Sequence, residues 1–396
     1  MRDIGEADSI EALRLMAYRR VPRAVYDFID GGAEDEITLR RNQDDLTRVT
    51  LVPHQLRDVS KRNLSTSILG RHAALPLIVA PTGLAALCWP RADVALAKAA
   101  GACEVPFVIS TPASVRLEDI AAAATNTRLW FQLYFYRDRV LVKRLVERAA
   151  RAGVEALVLT VDTPVLGWRR RDHHNRFRVP LKPSLALARD ILRCPAWTWG
   201  ILRHGIPRLQ NFAEAGKSND VASLAQLSAG NLDASVTWDD LRWLRDLWSG
   251  KLVLKGILCP DDAEIAVRHG LDGVWVSNHG GRQLDGAPST ISVLPDIARA
   301  AGSKLEIYMD SGVRKGADMA KAIAFGARAA AVGRATLYSV AAGGEVGTRQ
   351  ALNILSTEYD RCLALLGCAS TKDLGSAYVR GEASATFISG RIAQYI

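Results

Sequence analysis

The segment Ser277-Asn278-His279-Gly280-Gly281-Arg282-Gln283-Leu284-Asp285 places a titratable base, His279, three residues before a fixed cation, Arg282. Two glycines lie between them and free the backbone for close approach to a ligand. A base that takes a proton beside a guanidinium that holds a carboxylate is the pairing that oxidation of a 2-hydroxy acid requires. A lone histidine is more often an incidental surface residue. Here the segment follows an apolar run at 273–276 that reads as a buried strand, and its dense, strand-end setting favours chemistry.

That pair needs a scaffold, and the chain supplies one by repetition. From residue 75 onward, apolar runs of strand length alternate with helical stretches. The runs fall at 75–80, 106–110, 129–133, 156–161, 251–254, 273–276, 305–309 and 329–332. Continuous apolar strands belong to parallel sheets covered on both faces. Between them, Leu141, Leu145, Val146 and Ala149 share one helical stripe that Gly153 ends. Thr237 with Asp240 reads as a capping box opening a helix through Trp248.

Eight such units predict an α/β fold: a (β/α)8 TIM barrel with an N-terminal helical extension and a long insertion after strand 4, at about 175–235. The whole chain, 1–396, reads as one domain. A doubly wound sheet is the competing arrangement, but no G-x-G-x-x-G follows the first strand.

Barrel enzymes carry their chemistry at the C-terminal strand ends. Those ends hold Pro81-Thr82-Gly83, Ser110-Thr111, Gln132 with Tyr134, and Thr160 with Asp162. The second half adds Lys255, Asn278-His279, Asp310-Ser311-Gly312 and Gly333-Arg334. Taken singly, Lys255 is a solvated cap and Asp162 a helix N-cap. Taken together, they predict one shared site.

Composition narrows the setting. The 396 residues are 48% hydrophobic and 23% charged, a soluble globular balance. The net charge of +9 favours an anionic substrate, a phosphate-bearing cofactor or an anionic membrane surface. The basic residues are scattered and no nucleic-acid motif occurs, so nucleic acid is not expected as a partner. Six cysteines without a C-x-x-C pair argue against a disulfide or zinc framework. No signal-peptide pattern opens the chain and no run of eighteen apolar residues occurs, so a cytoplasmic location is expected.

These motifs resemble the FMN-dependent 2-hydroxy-acid oxidases and dehydrogenases over roughly residues 8 to 380. The resemblance rests on 277–285, on Trp130-Phe131-Gln132-Leu133-Tyr134, on the 25–33 segment from Val25 to Ala33, and on Asp310-Ser311-Gly312-Val313-Arg314. The stretches 171–177, 203–207 and 333–338 are similar to the mandelate-oxidising subgroup.

The resemblance implies that His279 is the base and that Asp162 stabilises it once protonated. It implies a carboxylate clamp of Arg169 and Arg282, helped by Tyr26 and Tyr134. FMN would meet Pro81, Thr82 and Gly83 along its face, with Ser110, Gln132, Thr160 and Ser277 among its polar contacts. Lys255 would sit near flavin N1, Asp310 by the ribityl chain, and Gly312, Arg314, Gly333 and Arg334 around the phosphate. Two routes stay open, one removing the α-proton and one the hydroxyl proton. Pro112 stands where several family members carry a bulky aromatic, and Gly83 where oxygen-using members commonly have alanine, which favours a dehydrogenase.

Nearly ninety residues separate the fourth and fifth strands, far more than an ordinary connection. Within 183–207, Leu185, Leu187, Ile191, Leu192, Trp197, Trp199, Ile201 and Leu202 mix with Arg189, Arg193 and Arg203. That composition suits a segment lying in a membrane interface, or a lid folded over the barrel mouth. The expected partners are a small 2-hydroxy acid and a quinone or other electron acceptor. Peripheral contact with the inner face of the cytoplasmic membrane and a homotetramer complete the expectation; an oxygen-using oxidase is the alternative.

Overall fold

The structure is a computed structural model that describes residues 3–175, 192–212 and 230–381. Eight parallel strands close into a barrel: β1 (Leu77–Val79), β2 (Phe107–Ile109), β3 (Leu129–Leu133), β4 (Ala156–Thr160), β5 (Lys251–Ile257), β6 (Gly273–Val276), β7 (Glu306–Met309) and β8 (Ala329–Val332). Each pairs with its sequence neighbour, and β8 returns to β1 through Ala330↔Leu77 and Val332↔Val79. All eight expected strands are present.

Each strand is followed by a helix whose local chemistry is legible. The helix Arg139–Arg151 starts where the Asp138 carboxylate accepts from Leu141 N at 3.0 Å and buries Leu141, Leu145, Val146 and Ala149. Gly153 follows it at φ 71°. The helix Asp240–Leu247 forms with half of the expected capping box, Thr237 N donating to Asp240 Oδ2 at 2.8 Å. Its first helical residue is Asp240 and it stops at Leu247, with Trp248 as C-cap.

Side chains fill the barrel, so it is a core and not a pore. Trp130, Trp275 and Tyr308 are fully buried inside it, with Val108, Val158 and Val253 around them. A short hairpin, Thr66–Ile68 with Arg71–Ala73, plugs the end away from the strands' C-termini. It is fastened there by Leu69 N donating to Glu306 Oε2 at 2.9 Å and Arg128 donating to Ile68 O at 2.8 Å.

The N-terminal extension is helical as expected, at Ile10–Arg20, Arg23–Asp30 and Ile37–Arg48. It is tied to the segment after β4 by Arg171, which bridges Asp30 at 2.9 Å and Glu36 at 2.5 Å. Of the insertion, the structure describes 192–212 and 230 onward. The expectations for 183–191, including Leu185, Leu187, Arg189 and Ile191, and for Arg176 and Phe177, lie outside the described residues.

Candidate active site

The strand ends converge on a cavity of about 340 Å³ at the C-terminal mouth. Its walls include every residue that the resemblance assigns to the site except Asp162, Ser277 and Tyr26; of the other strand-end residues, Thr111 and Asn278 also lie outside the lining. Asp162 and Ser277 stand directly behind the wall, where they hold it in place.

His279 is the centre of one wall. It lies in the left-handed region at φ 58°, a conformation that costs a non-glycine residue about 1–3 kcal/mol and persists where surroundings over-determine it. They do so here: Ser277 Oγ accepts from His279 N at 3.0 Å, Ser311 Oγ from Gly280 N at 3.0 Å, and Asn278 Oδ1 from Gly281 N at 3.0 Å. Glycine is required at 281, since a Cβ there would sit 2.5 Å from Leu39 N.

The ring nitrogen Nδ1 lies 2.9 Å from Asp162 Oδ1, which leaves Nε2 as the second basic position. Burial pushes the His279 pKa down, and Lys255 and Arg169 push the same way, while Asp162 pulls it back up. The imidazole is therefore neutral near neutral pH and able to accept a proton. For Asp162, burial raises the pKa, but His279 and Lys255 outweigh it and leave the carboxyl at about 2. Room for this pair depends on a bulge in β5 between Lys255 and Ile257: Gly256 sits at φ 111°, and a Cβ there would come 2.7 Å from that of Asp162.

Arg169 and Arg282 face the same space. Burial lowers the pKa of both, and their mutual repulsion adds to the effect on Arg282, with Asp172 acting in the opposite direction. Guanidinium stays protonated in proteins, so two buried, mutually repelling cations favour an incoming anion. One nitrogen of Arg282, Nη1, is already fixed, donating to Phe28 O at 2.6 Å and Gly31 O at 3.0 Å. Its remaining N–H groups are those available to a carboxylate.

Tyr26 does not join them. Its hydroxyl lies 3.3 Å from Asp30 Oδ1, inside the extension. Phe28, two residues on, lines the cavity instead, with its ring 5.0 Å from the Arg282 guanidinium carbon. The helix Arg23–Asp30 has a 3.6-residue period, so the 25–33 motif can present one of these two rings to the mouth and not both. Sequence reading chose the wrong one. It also missed Leu209 and Leu232, which reach the cavity from the insertion. Gln210 N donates to Ala113 O at 3.2 Å and Asp233 N to Phe135 O at 3.1 Å, which strap those leucines against the loops after β2 and β3.

The remaining wall suits a flat, polar-edged ring with a phosphate tail. Gln132 Oε1 accepts from Thr111 N at 3.1 Å, which turns the amide NH2 outward; that nitrogen and Thr160 Oγ1 are buried without a partner among the described residues. Lys255 Nζ lies beside them, donating to Ser277 Oγ at 2.7 Å and 3.3 Å from Asp310 Oδ2. At the far end, Arg314 meets Gly312 and the start of the helix Arg334–Leu366, whose first amides have no intrahelical acceptor. The Arg334 side chain is differently employed: it donates to Ile29 O, Gly280 O and Gly31 O at 3.1, 2.8 and 2.7 Å. That leaves anion binding there mainly to Arg314 and the backbone amides. These donor sets fit FMN.

A family model for FMN-dependent dehydrogenases matches residues 17–381. The chain belongs to that family. It is 41% identical to (S)-mandelate dehydrogenase of Pseudomonas putida over 374 residues, covering 94% of both chains. It is 44% identical to L-lactate dehydrogenase of Caulobacter vibrioides over 356 residues, covering 89% of this chain and 92% of that one. The crystal structure of the monotopic membrane protein (S)-mandelate dehydrogenase superposes with a TM-score of 0.92 at 41% identity, over 95% of this chain and 100% of that one. As a family member the protein is an FMN-dependent oxidoreductase. Among its described residues, no helix is long and apolar enough to cross a membrane.

Proposed function

We propose that the chain, working as a single domain, oxidises an L-(S)-2-hydroxy acid, mandelate-like or lactate, to the 2-keto acid. The observation that carries this reading is the His279–Asp162 pair facing the Arg169 and Arg282 guanidiniums across one cavity. The two arginines hold the substrate carboxylate and so aim the carbinol carbon. His279, neutral and backed by Asp162, takes the proton that leaves on oxidation, and Asp162 stabilises the imidazolium that results. Leu84, Pro112, Leu166, Leu209 and Leu232 exclude water around the substrate's side chain. Bound FMN supplies the two-electron acceptor. Gln132, Thr160 and Lys255 would hold the polar edge of its ring, and Gly312, Arg314 and the amides after Gly333 its phosphate.

Electrons then pass to a membrane quinone or similar acceptor. The second reading, an oxidase that gives peroxide, draws on a relative such as glycolate oxidase 1 of Oryza sativa, 37% identical over 380 residues. Gly83 favours the first. In this structure a Cβ at Gly83 would lie 2.9 Å from Pro112 Cγ, so alanine there would crowd the cavity. The test is anaerobic flavin bleaching with a panel of 2-hydroxy acids, followed by turnover with a quinone analogue against oxygen uptake. Bleaching by an S but not an R acid, with quinone turnover exceeding oxygen uptake, is expected. No bleaching by any 2-hydroxy acid would sink the reading.

We further propose a homotetramer resting on the inner face of the cytoplasmic membrane. Support for the membrane contact is the helix Pro195–His204 with its flanks, where Leu192, Trp199, Leu202 and Ile206 are exposed among Arg193 and Arg203. Trp197 points inward and anchors the helix by donating to Leu87 O at 2.7 Å. Trp199→Asp with Leu202→Asp should move the protein from the membrane pellet to the supernatant while substrate still bleaches the flavin. Continued sedimentation with membranes would refute this surface as the contact.

A further inference from the structure

Arg20 ends the helix Ile10–Arg20 without a carboxylate to meet it. Arg14 on the same helix pairs with Asp30, and Arg23 just beyond it pairs with Asp27, each at 2.8 Å. The Arg20 guanidinium makes no ion pair among the described residues. It lies half-buried, 4.5 Å from the centre of the Trp89 ring, and burial lowers its pKa. Trp89 has no room to retreat, because it packs on the kink in the helix Arg334–Leu366. A Cβ on Gly344 there would come 2.6 Å from the indole.

Both side chains line a cleft of about 380 Å³ between the loop after β1 and the helix Pro195–His204. Its volume lies in the range of small-molecule sites. Trp197 pins that helix in place, and Gly200 lets it approach Pro90, where a Cβ would sit 3.1 Å from the proline ring. Arg91 and Arg203, both exposed, and His204 also line the cleft, while no described aspartate or glutamate does. Three guanidiniums around one opening repel one another and favour an anion. Their planar forks match a phosphate.

The setting selects among phosphates. Trp199 belongs both to the cleft and to the exposed apolar face that continues through Leu202. A small anion from solution would meet only the arginines. A phospholipid would meet both surfaces, its phosphate in the cleft and its acyl chains along the apolar face, with tryptophans at the boundary between them.

We propose that this cleft binds the phosphate headgroup of an anionic phospholipid, with Arg20, stacked on Trp89, as its principal ligand and Arg91 and Arg203 at the rim. The proposal rests on the membrane contact at Pro195–His204 and deepens it: the apolar face holds the protein at the bilayer, and the cleft selects the lipid.

The experiment uses the full-length, FMN-loaded protein with vesicles of phosphatidylcholine, alone or with added phosphatidylglycerol. Wild type should prefer the anionic vesicles, and Arg20→Gln should weaken binding to them by about tenfold or more, the effect of losing a charged hydrogen-bond partner. One basic residue that is only near an anionic surface contributes about fivefold. Arg242→Gln, at an exposed position on another helix, sets that background. Arg20 lies outside the substrate cavity, so Arg20→Gln should bind neutral vesicles and bleach with substrate as wild type does. Native mass spectrometry in detergent should find phosphatidylglycerol retained on wild type and lost from Arg20→Gln. A loss in Arg20→Gln no greater than that in Arg242→Gln overturns the cleft. Inorganic phosphate that binds as tightly as the lipid overturns it too, since that would mark a site for a free anion. If Arg20→Gln sheds its flavin, the exposed Arg203→Gln is read in its place. The two layers separate on vesicles: binding that is indifferent to Arg20 removes the cleft and leaves the membrane contact, whereas wild type that ignores every vesicle removes the contact itself.

Discussion

His279→Gln should give a folded, yellow protein in which substrate no longer bleaches the flavin, with the reduction rate lowered by about 10²–10⁴-fold, the contribution typical of a positioned base. Glutamine can keep a hydrogen bond to Asp162 but cannot hold a proton for transfer. FMN content should stay at the wild-type level, because the residues proposed to hold the polar ring edge and phosphate, Gln132, Thr160, Lys255 and Arg314, are all distinct from His279. The pH profile supplies a second check on the wild type. Burial sets the His279 pKa below its ordinary value, so kcat/KM should climb with pH and pass its half-maximal point below about 6.5, the unperturbed histidine value. Stopped-flow reduction at neutral pH decides the matter: a variant reducing at the wild-type rate removes His279 from the chemistry.

Arg282→Met should weaken substrate binding by roughly 2–5 kcal/mol, about 30-fold to several thousand-fold in KM, the range for truncating one partner of a buried charge pair. Methionine fills similar volume and spans the Phe28 ring, but it removes one donor from each of the carbonyls of Phe28 and Gly31, the latter still held by Arg334. Some loss of thermal stability should therefore accompany the loss of affinity. Arg282→Lys isolates the charge from the geometry, since lysine restores a cation without the planar fork that a carboxylate matches. Titrating anaerobic flavin bleaching against substrate measures the affinity directly. An unchanged half-saturation in Arg282→Met would dismantle the clamp.

The barrel was legible because its signals are local and repeated. A parallel strand buried on both faces must be apolar throughout, so each of the eight runs announced itself within four to six residues. The site was legible for a related reason. Chemistry in such a barrel gathers at strand ends, and strand ends can be read once strands are placed. Gln132, Thr160, Lys255 and His279 were found this way, and the cavity brings them together.

What failed to show was whatever depended on rotation or on distant chain. Tyr26 and Phe28 lie within one turn of the same helix, and no local signal says which ring faces Arg282. The choice is made by Asp30, which engages both Tyr26 and Tyr338, the latter at 2.8 Å and from a helix more than three hundred residues away. Leu209 and Leu232 become cavity walls because backbone hydrogen bonds strap the insertion to loops a hundred residues earlier. The hairpin at 66–73 has strands of three residues, too short to produce a pattern. The resemblance implies Gly333 and Arg334 around the phosphate, and three carbonyls capture the Arg334 side chain, which leaves the backbone of that turn for the role.

By itself, then, the sequence determined the order of strands and helices, the family of chemistry and most of the polar residues at the mouth, because periodicity and strand-end placement are written in neighbouring residues. Only the tertiary structure decided which aromatic ring supports Arg282, which leucines line the cavity, and how Thr163, Asp162 and His279 share hydrogen bonds. Those outcomes are set by contacts between elements far apart in the chain, where a rotation of one helix or a few ångströms of loop position exchanges one partner for another.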